Sequence, residues 1–402
     1  MPIQVTLGPI VKPNSEELTK LIQEIKDDAA KRRRENPTVH PNHAIQLIKK
    51  ARLGALRLPE ELGGAGASIQ DVFDVLIQLA AVDPDVAHSL RYHFYAVEQF
   101  LLDKENLQNV KWLEVIAKGD LIGNGFTELN SINAGLFQFE TSLTVDGDGY
   151  RLNGTKYFST GTLYAEWVEI MASDINGKTV RVILPTDREG IEVVDDWDGF
   201  GQTLTGSGTT NLKHVFVEKS EVFTIPDHTT PFNAHLQLFL QAVIVGILHT
   251  IVEDAVNLLS TRTRTFSFAA AEKPTEDPQL LQVVGELSSS AFAAKAIVLA
   301  AAKELDKAIE TADKGIISYK ASHQASLRAA QAKVVVDKLA LEASTLLFEV
   351  GGASATRKTA QLDRHWRNIR TISSHNPTVY KARAIGNYEV NEIDLPINEV
   401  YF

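Results

Sequence analysis

Asp363-Arg364-His365-Trp366-Arg367-Asn368-Ile369-Arg370-Thr371-Ile372-Ser373-Ser374-His375-Asn376-Pro377 gathers three Arg, two His and a Trp into one short segment. The ring of Pro377 excludes the preceding residue from helical geometry, so the segment reads as a helix that stops in a loop presenting His375 and Asn376. Two readings fit these residues. A surface helix can cover an apolar seam with the stems of its Arg and His side chains; alternatively the loop belongs to a site.

The whole chain bounds the choice. Its 402 residues suffice for a large core in two or three domains. Hydrophobic content of 44% with 23% charged residues is ordinary for a globular protein. There is no cysteine, which excludes disulfides, thiolate metal sites and cysteine nucleophiles. The expected metal set is none. Net charge of -11 argues against nonspecific nucleic-acid binding, which needs concentrated Lys and Arg. The basic run Lys31-Arg32-Arg33-Arg34 shares its helix with Glu16, Glu17, Glu24 and Asp27 and reads as a solvated face. Met1-Pro2-Ile3-Gln4-Val5 lacks the plan of a signal peptide, and no uninterrupted apolar run approaches the ~18 residues of a membrane span. A soluble, cytoplasmic chain without a membrane partner is expected.

Periodicity divides the chain into three. Residues 1–118 read as a helical domain, with Ser15 as an N-cap and a stripe through Leu18, Leu21, Ile22 and Ile25. Leu58-Pro59-Glu60-Glu61-Leu62-Gly63-Gly64-Ala65-Gly66 has no strand before it, so it reads as a structural turn and not a phosphate cradle. His93, flanked by aromatics in Leu90-Arg91-Tyr92-His93-Phe94-Tyr95, is a core histidine or a pocket residue. Residues 119–230 read as a β domain: Asp146-Gly147 and Asn153-Gly154 are hairpin punctuation, and 167–171, 180–185 and 212–217 are strands. Residues 231–402 return to long helices. Apolar faces through Leu236, Leu240, Val243, Ile247 and Val335, Leu339, Leu346, with Ala-rich 291–302 for close approach, predict a four-helix bundle. Apolar area left over predicts an oligomer.

With Phe348-Glu349-Val350-Gly351-Gly352-Ala353 before it, the quoted segment resembles the C-terminal end of the acyl-CoA dehydrogenase fold. It is most similar to the branch of reduced-flavin-dependent monooxygenases that includes the dibenzothiophene monooxygenases, whose loop reads His-Asp-Pro where this chain has His375-Asn376-Pro377. Phe126-Thr127-Glu128-Leu129-Asn130 resembles that family's F-x-x-T-E-P and S-S-E-N-N segments, and Lys156-Tyr157-Phe158-Ser159-Thr160-Gly161 its K-x-W-I-T-N-G strand. Asp195 to Thr209 looks like G-M-R-x-T-x-S, with Gln202-Thr203 where Met-Arg is usual. Thr263-Arg264-Thr265-Phe266 resembles the Arg-Pro-Phe loop that meets the flavin phosphate, often across a subunit boundary.

The resemblance implies an α+β fold: helical domain, β-barrel or sandwich, four-helix bundle. It implies Thr127, Phe158, Ser159, Thr160, Trp197, Ser207, Arg264, Phe266, Arg370 and Asn376 as cofactor contacts, with His375, His93 and Thr160 as catalytic residues. Guanidinium suits phosphate because it binds bidentately. Three functions compete. The first is a monooxygenase taking reduced FMN from a separate reductase, with O2 and a small substrate bearing sulfur, nitrogen or an activated aromatic carbon, built as a homotetramer. The second is an acyl-CoA dehydrogenase or oxidase with FAD, which needs a carboxylate base that Asn376 does not supply. The third is a scaffold of the same fold without a cofactor. Leu129 stands where the desulfurising enzymes have an Asn, and Asn376 where they have an Asp, so dibenzothiophene is not carried over as substrate.

Overall fold

The computed structural model describes residues 9–129, 138–225 and 228–402, so the reading of Met1 to Val5 and of Asn130 lies outside the described residues. The N-terminal segment folds into α1 (Glu16–Glu35), α2 (Asn42–Lys50), α3 (Ile69–Val82), α4 (Pro84–Ser89), α5 (Arg91–Leu102) and α6 (Leu107–Ala117). Ser15 caps α1 by accepting the Leu18 N–H, as its hydroxyl predicts. The Gly-rich turn is structural. A Cβ on Gly64 would stand 1.9 Å from the Leu58 carbonyl oxygen, so only glycine lets the chain fold back there.

Eight strands form one mixed sheet: β1 (Ile122–Gly125), β2 (Ser142–Asp146), β3 (Gly149–Lys156), β4 (Trp167–Ser173), β5 (Thr179–Pro185), β6 (Ile191–Val193), β7 (Thr210–Val217) and β8 (Val222–Thr224). The order is β6-β7-β3-β2-β4-β5-β8, with β1 parallel to β4. Asp146-Gly147 makes the β2–β3 hairpin, Gly147 taking φ +58. Asn153-Gly154 is not a turn. It lies inside β3 where the register against β7 shifts, and a Cβ on Gly154 would come within 2.2 Å of Thr141 Oγ1. The dipeptide marks a bulge and a close approach, which look like a turn in sequence.

Long helices follow: α7 (Phe232–Thr261), α8 (Pro278–Glu310) and α9 (Tyr319–Gly351), then α10 (Asp363–Ser373) and α11 (Thr378–Asn391). One apolar core runs through α3, α4, α7, α8 and α9, so the N-terminal and C-terminal helices share an interior. Asp306 of α8 reinforces this by accepting the N–H groups of Ile69 and Gln70 at the start of α3, where helix donors are orphaned. One correction concerns the surface. Arg32 is largely buried against Asp28 and Asp83, so the basic run is only partly solvated. By length and composition α7 and α8 pass the test for a membrane span, with mean hydropathy 1.7 and 1.5. The α7 window is 83% buried in the protein and is a core helix; the α8 window is 22% buried.

Candidate active site

Between sheet, α5, α7 and α10 lies a cavity of about 590 Å³. Its first wall is the segment after β3. Phe158 adopts φ 56, left-handed for a bulky residue, and its carbonyl accepts the Thr160 N–H at 2.8 Å. This tight bend turns Phe158 and Thr160 to the cavity while Ser159 is fully buried outside its lining. Strain of this kind concentrates at functional sites.

The second wall is the loop between β6 and β7. Gly201 lies against α10, where a Cβ would meet the Arg367 carbonyl at 2.2 Å, and the next residue, Gln202 at φ 53, donates its N–H to Asn368 Oδ1 at 2.8 Å. A hydroxyl chain results: Thr160 Oγ1 to Ser207 Oγ at 2.8 Å, and Ser207 Oγ to Thr205 Oγ1 at 2.6 Å. Trp197 meets Phe158 edge to face at 5.8 Å, and Phe200 stacks on Trp366 of α10 at 5.9 Å.

α10 supplies His375 at its end. Pro377 stops the helix and restarts the chain as α11, as its ring requires. His375 Nε2 sits 3.2 Å from Arg91 Nη1. A guanidinium only donates, so Nε2 accepts and the proton is on Nδ1. His375 keeps an exposed face, and desolvation first, then the charges of Arg91, His88, Lys333 and Lys381, hold its pKa well below the ordinary imidazole value. It is neutral at pH 7. Tyr401 meets its ring at 5.7 Å.

Three further polar groups face the cavity. Burial pushes His88 down to about 4, and its Nδ1 pairs with Gln202 Oε1 at 2.8 Å. His88 Nε2, Gln202 Nε2 and Asn124 Oδ1 are buried without a partner among the described residues. Such orphaned donors and acceptors are uncommon inside proteins and suit a polar, flat ligand between aromatic walls.

The sequence-predicted residues divide. Thr127, Phe158, Thr160, Trp197, Ser207 and His375 line this cavity. His93 does not: Nε2 donates to the Gly54 carbonyl at 3.0 Å and Nδ1 accepts the Ile122 N–H at 3.2 Å, so both nitrogens fasten core backbone. Asn376 is buried behind the wall, donating to Gln237 Oε1. Arg370 faces another groove, shared with Glu349 and Trp366. Arg264 and Phe266 lie on the exposed loop after α7, away from this lining; Phe266 stacks on Phe268 at 5.6 Å. Sequence reading missed His88, Arg91, Asn124, Gln202, Gln237 and Tyr401. The C-terminal tail brings Tyr401: its carbonyls accept from Asn233, Gln237 and Lys381, which lace residues 397–401 across the cavity.

The family profile for the acyl-CoA dehydrogenase C-terminal domain matches residues 238–379. FMN-bound TdsC from Paenibacillus sp. A11-2 superposes with a TM-score of 0.87 at 27% identity, covering 96% of this chain and 99% of that one. The chain has an acyl-CoA dehydrogenase-like fold. It is 29% identical over 361 residues to a probable FMNH2-dependent monooxygenase, SfnC of Pseudomonas putida, covering 88% of this chain and 89% of the relative. It is 28% identical over 362 residues to a dibenzothiophene monooxygenase of Mycolicibacterium goodii, covering 86% of each. The α+β architecture of that fold, with helices on either side of a central sheet, is the one described above.

Proposed function

We propose that the chain is the oxygenase of a two-component system, using reduced FMN from a separate reductase and O2 to oxygenate a small molecule at sulfur, nitrogen or an activated aromatic carbon. One observation carries this reading over the dehydrogenase one: among the described residues the cavity holds a neutral histidine and no free carboxylate. Its one lining acid is Glu128, which accepts from Lys156 at 2.6 Å and from the Thr141 and Glu140 N–H groups, holding its pKa below the ordinary value. An acid so engaged is a poor base for a proton alpha to a thioester.

The orphaned amide and imidazole atoms and the Thr160 hydroxyl fit an isoalloxazine edge beside the Phe158–Trp197 pair. Reduced FMN supplies the two electrons that activate O2, one oxygen atom going to substrate and the other leaving as water. Thr160, held by Ser207, offers the flavin edge a fixed hydrogen bond. His375, with its proton on Nδ1, donates to the oxygen being transferred. Tyr92, Tyr95, Leu236 and Val400 keep water from that end.

Arg264 and Phe266 serve in this reading across a subunit boundary. Phe268 and Phe292 are 85% and 77% exposed and the α8 face is largely bare, an area that a homotetramer would cover. The three segments 1–118, 119–230 and 231–402 act as wall, flavin cleft and bundle. A cytoplasmic location belongs to this reading, since reduced flavin reacts with O2 in free solution and its source must be close.

The test is to give the protein reduced FMN and ¹⁸O₂ with sulfides, sulfones, amines and indoles. Label in the product supports the reading. Quantitative hydrogen peroxide with no labelled product from any class, together with flavin reduction by an acyl-CoA thioester, moves the chain to the dehydrogenases.

A further inference from the structure

Arg91 begins α5 and faces the cavity. Its Nε donates to the Leu236 carbonyl at 2.9 Å and its Nη1 to His375 Nε2 at 3.2 Å. Both partners are neutral. Arg32, Arg57, Arg181, Arg188 and Arg364 each rest on a carboxylate, whereas Arg33 and Arg52, like Arg91, donate to backbone carbonyls, and of these three Arg91 alone lines the cavity. Among the described residues Arg91 has no acid within ion-pairing distance, and Nη2 makes no hydrogen bond.

The surroundings sharpen this. Glu128, the one acid of the lining among the described residues, is already neutralised by Lys156, which leaves these residues with one uncompensated positive charge. A desolvated charge without a counterion is costly, and burial pulls the Arg91 pKa down to about 10. The walls beside it, Tyr92, Tyr95, Leu236, Val400 and Tyr401, are apolar or aromatic.

We infer that the substrate is an organic anion, a sulfinate, sulfonate or carboxylate with an apolar body, whose charged head is received by the free edge of Arg91 beside His375. Guanidinium takes two oxygens of such a head through parallel N–H groups. This rests on the oxygenase reading and narrows its substrate class. Arg91 also explains why His375 stays neutral, since a second positive charge 3.2 Å away is unfavourable.

Calorimetric titration of the FMN-saturated, oxidised protein with benzenesulfonate and with methyl phenyl sulfone, its neutral counterpart, tests the inference. Wild type is expected to prefer the anion, Arg91→Met to lose roughly 10- to 100-fold in benzenesulfonate affinity, and Arg91→Lys to fall between, the loss of one charge-assisted contact. Methyl phenyl sulfone should bind Arg91→Met at least as well as wild type. Equal benzenesulfonate affinity in wild type and Arg91→Met, or a wild-type preference for the sulfone, overturns it. A drop in FMN affinity in place of benzenesulfonate affinity also overturns it, assigning the guanidinium to the flavin. Arg91→Lys keeps the charge and guards against misfolding of Arg91→Met. Failure of ¹⁸O transfer in wild type, by contrast, sinks the oxygenase reading and leaves the measured anion preference standing.

Discussion

The Arg91 guanidinium donates to His375 Nε2 at 3.2 Å, so one contact sets both the tautomer and the neutrality of the histidine at the cavity. Arg91 is unable to accept, which forces the His375 proton onto Nδ1. The imidazole therefore serves as a fixed donor at neutral pH and holds no second proton to give.

His375→Ala removes that donor. Labelled product is expected to fall by ~10²- to 10⁴-fold, while flavin reoxidation continues and its electrons appear as hydrogen peroxide. Oxygen-18 incorporation and peroxide release, measured together, check this. Product formation at the wild-type rate would remove His375 from the chemistry.

Three buried histidines make the fold sensitive to acid. His88 and His93 are held near 4 and His235 near 3 by burial, each below the ordinary value. Their depressed pKa values contribute stability that is present above about pH 6.5, the unfolded value, and is lost as pH falls toward 4, because the unfolded chain binds protons more readily. His88 and His93 each contribute about 3 kcal/mol at most and His235 about 5 kcal/mol. Urea midpoints from pH 8 to pH 4.5 should fall steadily below 6.5. His93→Gln should flatten that slope even where it lowers the midpoint at pH 8; an unchanged slope would contradict the assignment.

Lys156 and Glu128 form a buried pair at 2.6 Å, with Lys156 drawn down to about 8 by desolvation. Glu128→Ala strands the ammonium in the wall of the cavity. A loss of ~3 to 5 kcal/mol is expected, read as a lower urea midpoint, and the double variant Glu128→Ala with Lys156→Met should recover part of it.

Thr160→Val breaks the hydroxyl chain to Ser207 and removes the bond offered to the flavin. FMN affinity, followed by fluorescence quenching, should weaken by ~1 to 2 kcal/mol. Identical titrations for wild type and variant would place the flavin elsewhere.

Arg264 is exposed in the single chain. If a neighbouring copy supplies it, Arg264→Ala weakens FMN binding, and wild-type affinity itself falls on dilution below the assembly threshold. Phe292→Glu, on the bare α8 face, should split the assembly in light scattering and weaken FMN binding with it. FMN affinity untouched by both changes would take Arg264 out of the site.

The architecture was readable because its signals are local. Ser15 and Asp146-Gly147 each act within a few residues of themselves, whereas α7 is buried on every side along 234–248 and Val335 of the expected α9 face is exposed. Pro377 stops α10 for the same reason. Where local signals are ambiguous the reading slipped. Asn153-Gly154 serves a bulge as well as it serves a turn, and only the nearness of Thr141 distinguishes them. His93 among aromatics fits a pocket or a core equally, and the Gly54 carbonyl decided for the core.

Helix, strand and loop order, the α+β class and the stop before Pro377 followed from propensities and periodicities that each residue carries along the chain. The makeup of the cavity did not, because it depends on groups far apart in sequence. Arg91 and His375 are 284 residues apart, Gln202 pairs with His88 across 114, and Asn376 with Gln237 across 139. Such pairings are fixed by where packing sets the helices, and so are the desolvation that neutralises His375 and the missing counterion of Arg91. Charge and proton position at this site are properties of that packing, since desolvation exists only once the walls have closed.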